Sequence, residues 1–166
     1  MPASAQMWME ITFNIAYLIV IWVLVIKMFQ RMPELPQENR RLAKLAAWAF
    51  GLLALGDSGH VGFRVLAYAL GGLETQVQVV GQSVSLVGVG ALSTAITVTF
   101  FYMLVLEAWR VRFKQAYGGF AYLLLAAGFV RLALMFPAIN AWNSVVPPQP
   151  WSTIRNLPLV LQGLGV

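Results

Sequence analysis

Hydrophobic positions along this chain of 166 residues form four long runs, separated by short polar stretches. A membrane-spanning helix needs about 20 predominantly apolar residues, and the runs at residues 8–29, 43–70, 84–108 and 120–142 are long enough. A fifth run, residues 157–166, is too short to cross a bilayer. The pattern predicts an all-α fold: a polytopic transmembrane helix bundle, one domain over residues 1–166, with four full spans and a partial fifth.

Two interpretations fit the fifth run: a tail that inserts halfway, or the start of a span in a longer chain. We expect the second. Pro137 lies within the fourth run, and because proline cannot donate a backbone hydrogen bond, we expect a kink in that helix.

Composition also indicates a membrane protein. Only 10% of the residues are charged and mean hydropathy is +0.74, whereas soluble domains carry roughly 25% charged residues. The chain has no cysteine and a single histidine. These counts exclude disulfides, cysteine metal sites, zinc fingers and a bis-histidine haem within one chain.

The basic residues are concentrated in two places, and this distribution predicts the topology. Eight of the 11 lie in or beside the first and third loops: Lys27, Arg31, Arg40, Arg41, Lys44, Arg110, Arg112 and Lys114. Loops rich in lysine and arginine stay in the cytoplasm. We therefore expect a multi-pass protein of the bacterial inner membrane, with its N-terminus outside and cytoplasmic loops at residues 30–42 and 109–117. The same distribution explains the pI of about 10.0, so no nucleic-acid partner is expected.

Charged residues within the second run share one helical face. Asp57, His60 and Arg64 follow an i, i+3, i+7 spacing, which places them on one side of an α-helix. An unpaired charge at mid-bilayer costs at least about 2.5–3.5 kcal/mol, so each charge is expected to have a partner at matching depth. Three glycines in the same turns should let a neighbouring helix approach closely: Gly56, Gly59 and Gly62.

Other spans carry polar residues at corresponding depths. Arg131 lies near the middle of the fourth span, so we expect an Asp57–Arg131 ion pair. Arg64 lies about 10 Å further toward the outside, at the depth of Glu10 in the first span, and a Glu10–Arg64 pair is expected. Asn14 lies on the same face of the first span as Glu10.

These residues predict an outward-facing polar cluster between the first, second and fourth spans: Glu10, Asn14, Asp57, His60, Arg64 and Arg131. Ionisable residues inside a membrane usually have a function. The cluster therefore predicts a site for a small polar ligand, a proton or a lipid headgroup, with no residue assigned as catalytic. The alternative is that the ion pairs only fix how the helices pack.

Polar residues of the third span have a structural interpretation. We expect its Ser/Thr run to bond backbone carbonyls or neighbouring helices: Ser93, Thr94 and Thr97. Glu107 and Arg110 are expected to pair at the inner end of the helix.

The stretches GDSGHVGFR and GVGALSTAITVTFFYMLVLEAWRVRF resemble a family of uncharacterised bacterial multi-pass membrane proteins. That family shows a G-D-x-x-H-x-x-x-R second helix and a T-x-x-T-x-x-F-Y third helix; here one extra residue separates Thr97 from the Phe-Tyr pair. A later R-N-x-P motif resembles residues 155–158. The resemblance implies a longer chain with further helices, and no known activity comes with it.

Two weaker resemblances concern His60. Alkaline ceramidases and progestin-receptor-like membrane proteins are similar in placing a histidine in the second span, but they need three histidines for zinc. Bacterial light-harvesting helices resemble this chain in placing a small residue, here Gly56, four positions before a pigment-ligating histidine. These resemblances imply His60 as a metal or pigment ligand.

Three functions remain open at this stage. The first is binding or transport at the polar cluster. The second is an accessory subunit of a larger respiratory or photosynthetic membrane complex, with other membrane subunits as partners and a pigment or quinone as cofactor. The third is a membrane-embedded hydrolase, which needs more histidines than the sequence contains.

Overall fold

Long helices form at each of the predicted runs in a computed structural model, which describes residues 3–79, 81–136, 138–142, 144 and 146–166. Helices account for 79% of the described residues, as the all-α prediction requires. The principal helices are α1 (Ala3–Arg31), α2 (Gln37–Ala69), α3 (Leu86–Phe113) and α4 (Gly119–Met135). Shorter elements complete the chain: 3₁₀ turns at Met32–Glu34 and Ala138–Asn140, then α5 (Trp151–Ile154) and α6 (Leu157–Gly165).

Two of these helices are long and apolar enough to cross a membrane. They are the 28-residue segments Met7–Glu34 and Leu86–Phe113, with mean hydropathies of 2.2 and 1.9 over their most apolar windows. α2 is longer, at 33 residues, but it carries Asp57, His60 and Arg64. α4 is apolar but has only 17 residues. By length and composition, two of the described helices are candidates to span a membrane, and the four predicted spans are not confirmed.

A β-hairpin precedes α3 where we predicted the start of a span. Strands β1 (Gln76–Val79) and β2 (Gln82–Ser85) pair antiparallel, with Gln76 opposite Ser85. In β1 polar and apolar residues alternate with a period of two, as successive side chains of a strand point to opposite faces. Gly81 lies between them with φ +78°, a conformation that glycine adopts without steric cost.

The last two predicted runs can be compared with α4 and α6. α4 ends at Met135, seven residues earlier than the predicted span, and the expected kink at Pro137 lies outside the described residues. The partial fifth run forms α6, which packs against α4. Gln162 Nε2 of α6 donates to the Leu124 carbonyl of α4 at 3.2 Å.

The closest helix pair is α2 with α3, and glycine makes it possible. A side chain at Gly90 would meet the Cα and the carbonyl oxygen of His60, each at 3.1 Å. A side chain at Gly56 would overlap Thr97 and lie 3.2 Å from the Cα of Thr94. Thr94 Oγ1 also donates to the Gly56 carbonyl oxygen at 3.0 Å. The small residues therefore bring two backbones into contact, as they do between membrane helices.

Neighbouring helices flank this central pair. α1 packs against α2, and α4 packs against α3 and α6. Small side chains dominate the buried positions of α2, where Ala47, Ala54 and Ala67 are fully covered. The order of packing is therefore α1, α2, α3, α4, α6.

We expect Gly90→Ala to lower the free energy of unfolding by about 1–3 kcal/mol, because the added methyl group must push back the α2 backbone. Gly62→Ala is the matched control, since nothing lies within 4 Å of a methyl group there. Both changes bring the same gain in helix propensity, so their difference isolates the contact. Chemical unfolding in detergent measures it, and equal midpoints for the two variants would contradict the packing described here.

Candidate functional site

Polar side chains connect α1 to α2 along one face, and we call this set the ladder: Glu10, Asn14, Tyr17, Asp57, His60, Arg64 and Tyr68. At one end the Arg64 guanidinium forms an ion pair with Glu10, and Tyr68 Oη donates to Glu10 Oε2 at 3.2 Å. The Glu10–Arg64 pair expected from depth is confirmed. Both side chains are about 30% exposed, at 28% for Glu10 and 30% for Arg64.

Asp57 accepts a hydrogen bond in the same interface. Tyr17 Oη donates to Asp57 Oδ2 at 2.8 Å, so the acid that we expected to pair with Arg131 has a tyrosine on α1 instead. Nearby, Trp22 Nε1 donates to Ser58 Oγ at 2.8 Å, and the Ser58 hydroxyl in turn donates to the Ala54 carbonyl oxygen at 2.7 Å. Tyr17 was not among the residues predicted for the cluster.

Asn14 and His60 lie between the two connected ends of the ladder. The antiparallel register follows from the contacts: seven residues separate Glu10 from Tyr17, and seven separate Arg64 from Asp57. Asn14, four residues after Glu10, is therefore level with His60, four residues before Arg64. Both are half-buried, and within the described part of the chain neither side chain has a hydrogen-bond or ion-pair partner.

Arg131 belongs to a different cluster, and the predicted Asp57–Arg131 pair is wrong. The Arg131 side chain is 2% exposed and donates to the Ala95 carbonyl oxygen and to Thr99 Oγ1 of α3. It also donates to Asn156 Oδ1 at 3.3 Å.

The predicted pair is wrong because another helix separates the two residues, and not because they lie at different depths. Gly56 of α2 lies against Thr94 and Thr97 of α3, and Arg131 reaches the same stretch of α3 from α4. Asp57 and Arg131 are therefore at similar levels, but α3 lies between their helices. The cluster predicted between the first, second and fourth spans is two clusters, one on each side of α3.

Two of the three hydroxyls predicted to bond backbone carbonyls do so, those of Thr94 and Thr97. Thr97 Oγ1 donates within its own helix to the Ser93 carbonyl oxygen at 3.0 Å, and Thr94 bonds across to α2. Thr99 Oγ1 donates to the Ala95 carbonyl oxygen at 2.8 Å and also accepts from Arg131. Thr99 is thus the hydroxyl of this run that supports a buried charge.

Arg155 is a second buried cation that sequence reasoning did not single out. It is 5% exposed, donates to the Asn140 carbonyl oxygen at 2.9 Å, and lies 3.5 Å from the centroid of the Trp142 ring. Burial lowers the pKa of Arg155. The R-N-x-P motif was the only signal for this residue, and the Trp142 ring is its stacking partner.

A third cluster closes the opposite end of the helices. Glu107 of α3 pairs with Arg110, as predicted, and with Arg41 of α2 at 2.8 Å. Tyr117 Oη donates to Glu107 Oε2 at 2.7 Å, which raises the pKa of Tyr117. This cluster joins the start of α2, the end of α3 and the loop before α4.

The described residues hold no cluster of metal ligands. Over the described ranges, no group of three or more His, Cys, Asp or Glu side chains could hold a metal ion. His60 as a metal or pigment ligand stays a prediction from the sequence.

We expect Thr99→Val to lower the free energy of unfolding by about 1–3 kcal/mol, because Arg131 would lose a buried acceptor that its charge needs. Thr97→Val is the control, since that hydroxyl donates only to carbonyls of its own helix. Thermal unfolding in detergent, followed by tryptophan fluorescence, compares the two. A Thr97 variant as unstable as the Thr99 variant would contradict a special role for Thr99.

Comparisons with known proteins do not identify a family for this chain. No family model, no curated protein and no solved structure matches the chain. The resemblance drawn from GDSGHVGFR stays a prediction, and the candidate site is defined by its own residues.

Proposed function

We propose that the chain is a multi-pass protein of the bacterial inner membrane in which α1 to α4 all span the bilayer, and that the ladder binds a small polar ligand or carries a proton. A 33-residue α2 is about 50 Å long at 1.5 Å per residue, more than a bilayer requires. The 17 residues of α4 are at the lower limit for a span.

The Arg41–Glu107 ion pair supports the proposed orientation. It joins the first residues of α2 to the last turns of α3, so the two basic loops lie at the same end of the bundle. Positive charge collected at one end favours that end as the cytoplasmic one. The ladder then lies toward the outer side, with the N-terminus outside.

The proposal depends on one observation: Asn14 and His60 have no partner among the described residues, although both ends of the ladder are partnered. Inside a bilayer a polar side chain without a partner is costly, so a row of pairs with a gap favours an occupant at the gap. An amide and an imidazole offer both donors and acceptors to such an occupant. Imidazole is also the side chain that exchanges protons near neutral pH.

The accessory-subunit alternative has its own observation in favour. α1 is exposed over most of its surface, with Phe13 at 70% and Ile19 at 60%, and the Glu10–Arg64 pair is only partly covered. Ionisable groups in membranes usually face protein or water and not lipid. Another membrane subunit packed on α1 would provide that cover, with a pigment or quinone as the cofactor to search for.

The hydrolase alternative gains nothing from the described residues. His60 has no second histidine in the sequence, and Asp57 is engaged by Tyr17. The described residues therefore do not favour a hydrolase.

Proton flux into sealed phosphatidylcholine liposomes, reported by pyranine under an imposed pH gradient, tests the proton-carrying form. We expect the reconstituted protein to dissipate the gradient and His60→Gln to reduce the rate to that of protein-free liposomes. Ser58→Ala is the control, because it alters a neighbouring polar contact of the same interface without touching the gap. Equal rates for His60→Gln and the unmodified protein, with both helical by circular dichroism, would contradict a role for His60.

Ligand binding has a direct reporter, because His60 is the only histidine. Nitrogen-15 labelling of histidine gives a single pair of ring signals. If a ligand stays bound at the gap, its displacement by Asn14→Leu should shift these signals. Signals that are identical in the two proteins would count against an occupant. A large multi-subunit band on a native gel after mild extraction would favour the accessory-subunit alternative.

A further inference from the structure

An apolar groove lies between α1 and α2 at the end opposite the ladder. Its volume is about 670 Å³, within the range of roughly 300–1,000 Å³ that is usual for small-molecule sites. Leu24 and Met28 of α1 form one wall, and Ala43 and Phe50 of α2 form the other, with Leu35 of the connecting segment at the end. The groove is therefore open along the helices and closed by the turn between them.

Two cations border the groove. Lys27 and Arg31 are four residues apart on α1, which places them on one face of the helix. Both are exposed, and no carboxylate of the described residues pairs with either.

Two other basic residues near this turn are already engaged. Arg40 donates to the carbonyl oxygens of Leu35 and Pro33, at 2.9 and 2.8 Å, and Arg41 pairs with Glu107. Lys27 and Arg31 therefore keep their donors for a ligand.

The depth of these cations matches the edge of a membrane. The apolar segment Met7–Glu34 ends just beyond Arg31, so the groove runs along hydrocarbon and its charged border reaches the headgroup layer. Long basic side chains at such positions extend toward the interface. Arginine binds a phosphate through two parallel hydrogen bonds, and lysine adds a point charge.

We propose that this groove binds an anionic phospholipid, with an acyl chain along Leu24, Met28 and Phe50 and the phosphate held by Lys27 and Arg31. Charge complementarity selects the headgroup, and the apolar walls select the chain. The inference rests on the proposed membrane orientation but not on any activity of the ladder.

Native mass spectrometry of the purified protein, titrated with phosphatidylglycerol or phosphatidylcholine, tests the proposal. We expect phosphatidylglycerol to bind more tightly. The double variant Lys27→Gln/Arg31→Gln should lose about thirtyfold in affinity for phosphatidylglycerol, since each cation near an anionic lipid contributes about 1 kcal/mol. Binding of phosphatidylcholine should change little.

The matched control is Arg112→Gln/Lys114→Gln, which removes two exposed cations near the same end that do not line the groove. It should leave the preference unchanged. A second variant, Ala43→Phe, fills the groove and should weaken binding of both lipids. Circular dichroism verifies that each variant remains helical.

Three results would overturn the proposal. The first is an unchanged preference in the Lys27/Arg31 variant, and the second is an equal loss in the Arg112/Lys114 control, which would indicate general attraction by net charge. The third is a dimer that Ala43→Phe converts to a monomer without any change in lipid binding, which would make the groove an interface between two copies. His60-dependent proton flux should not change in the Lys27/Arg31 variant, so failure here and failure of the ladder proposal are distinguishable.

Discussion

Close contact between the α2 and α3 backbones determines where every other helix of this protein lies. Gly90 leaves no space between its own helix and His60, so α3 occupies the whole of one side of α2. α1 must then pack on a different face of α2, and α4 must pack on a different face of α3. Two separate polar clusters result, because α1 packs mainly against α2 and α4 packs mainly against α3 and α6.

The two clusters neutralise charge by different means. Glu10 and Arg64 form an ion pair that remains partly exposed, and solvent screening weakens an exposed ion pair. Among the described residues, the acceptors of Arg131 are all neutral, two of them lie on α3, and the side chain is almost completely buried. The Arg131 cluster therefore fixes a packing arrangement, whereas the ladder leaves polar atoms available.

The sequence was sufficient to place the helices and the depth of their residues, but not to show which helices are neighbours. Runs of apolar residues located the helices, and a rise of about 1.5 Å per residue correctly matched Glu10 with Arg64. The same arithmetic put Asp57 and Arg131 at similar levels, but nothing in one sequence specified that α3 lies between them. The hairpin at Gln76–Ser85 has an alternating pattern only in its first strand, Gln76–Val79, which is too short to predict a hairpin. Arg155 gave no signal apart from its motif, since its partners are backbone and ring atoms.

The weak attachment of α1 has a mechanical consequence. Only 6% of its most apolar window is buried, and a short turn at Met32–Glu34 connects it to the rest. Elements with few buried contacts are the cheapest to displace. His60 is fixed on the central pair through Gly90, so a movement that uncovers it would be a tilt of the first helix about that turn. The first helix would then act as a gate, and the central pair as its frame.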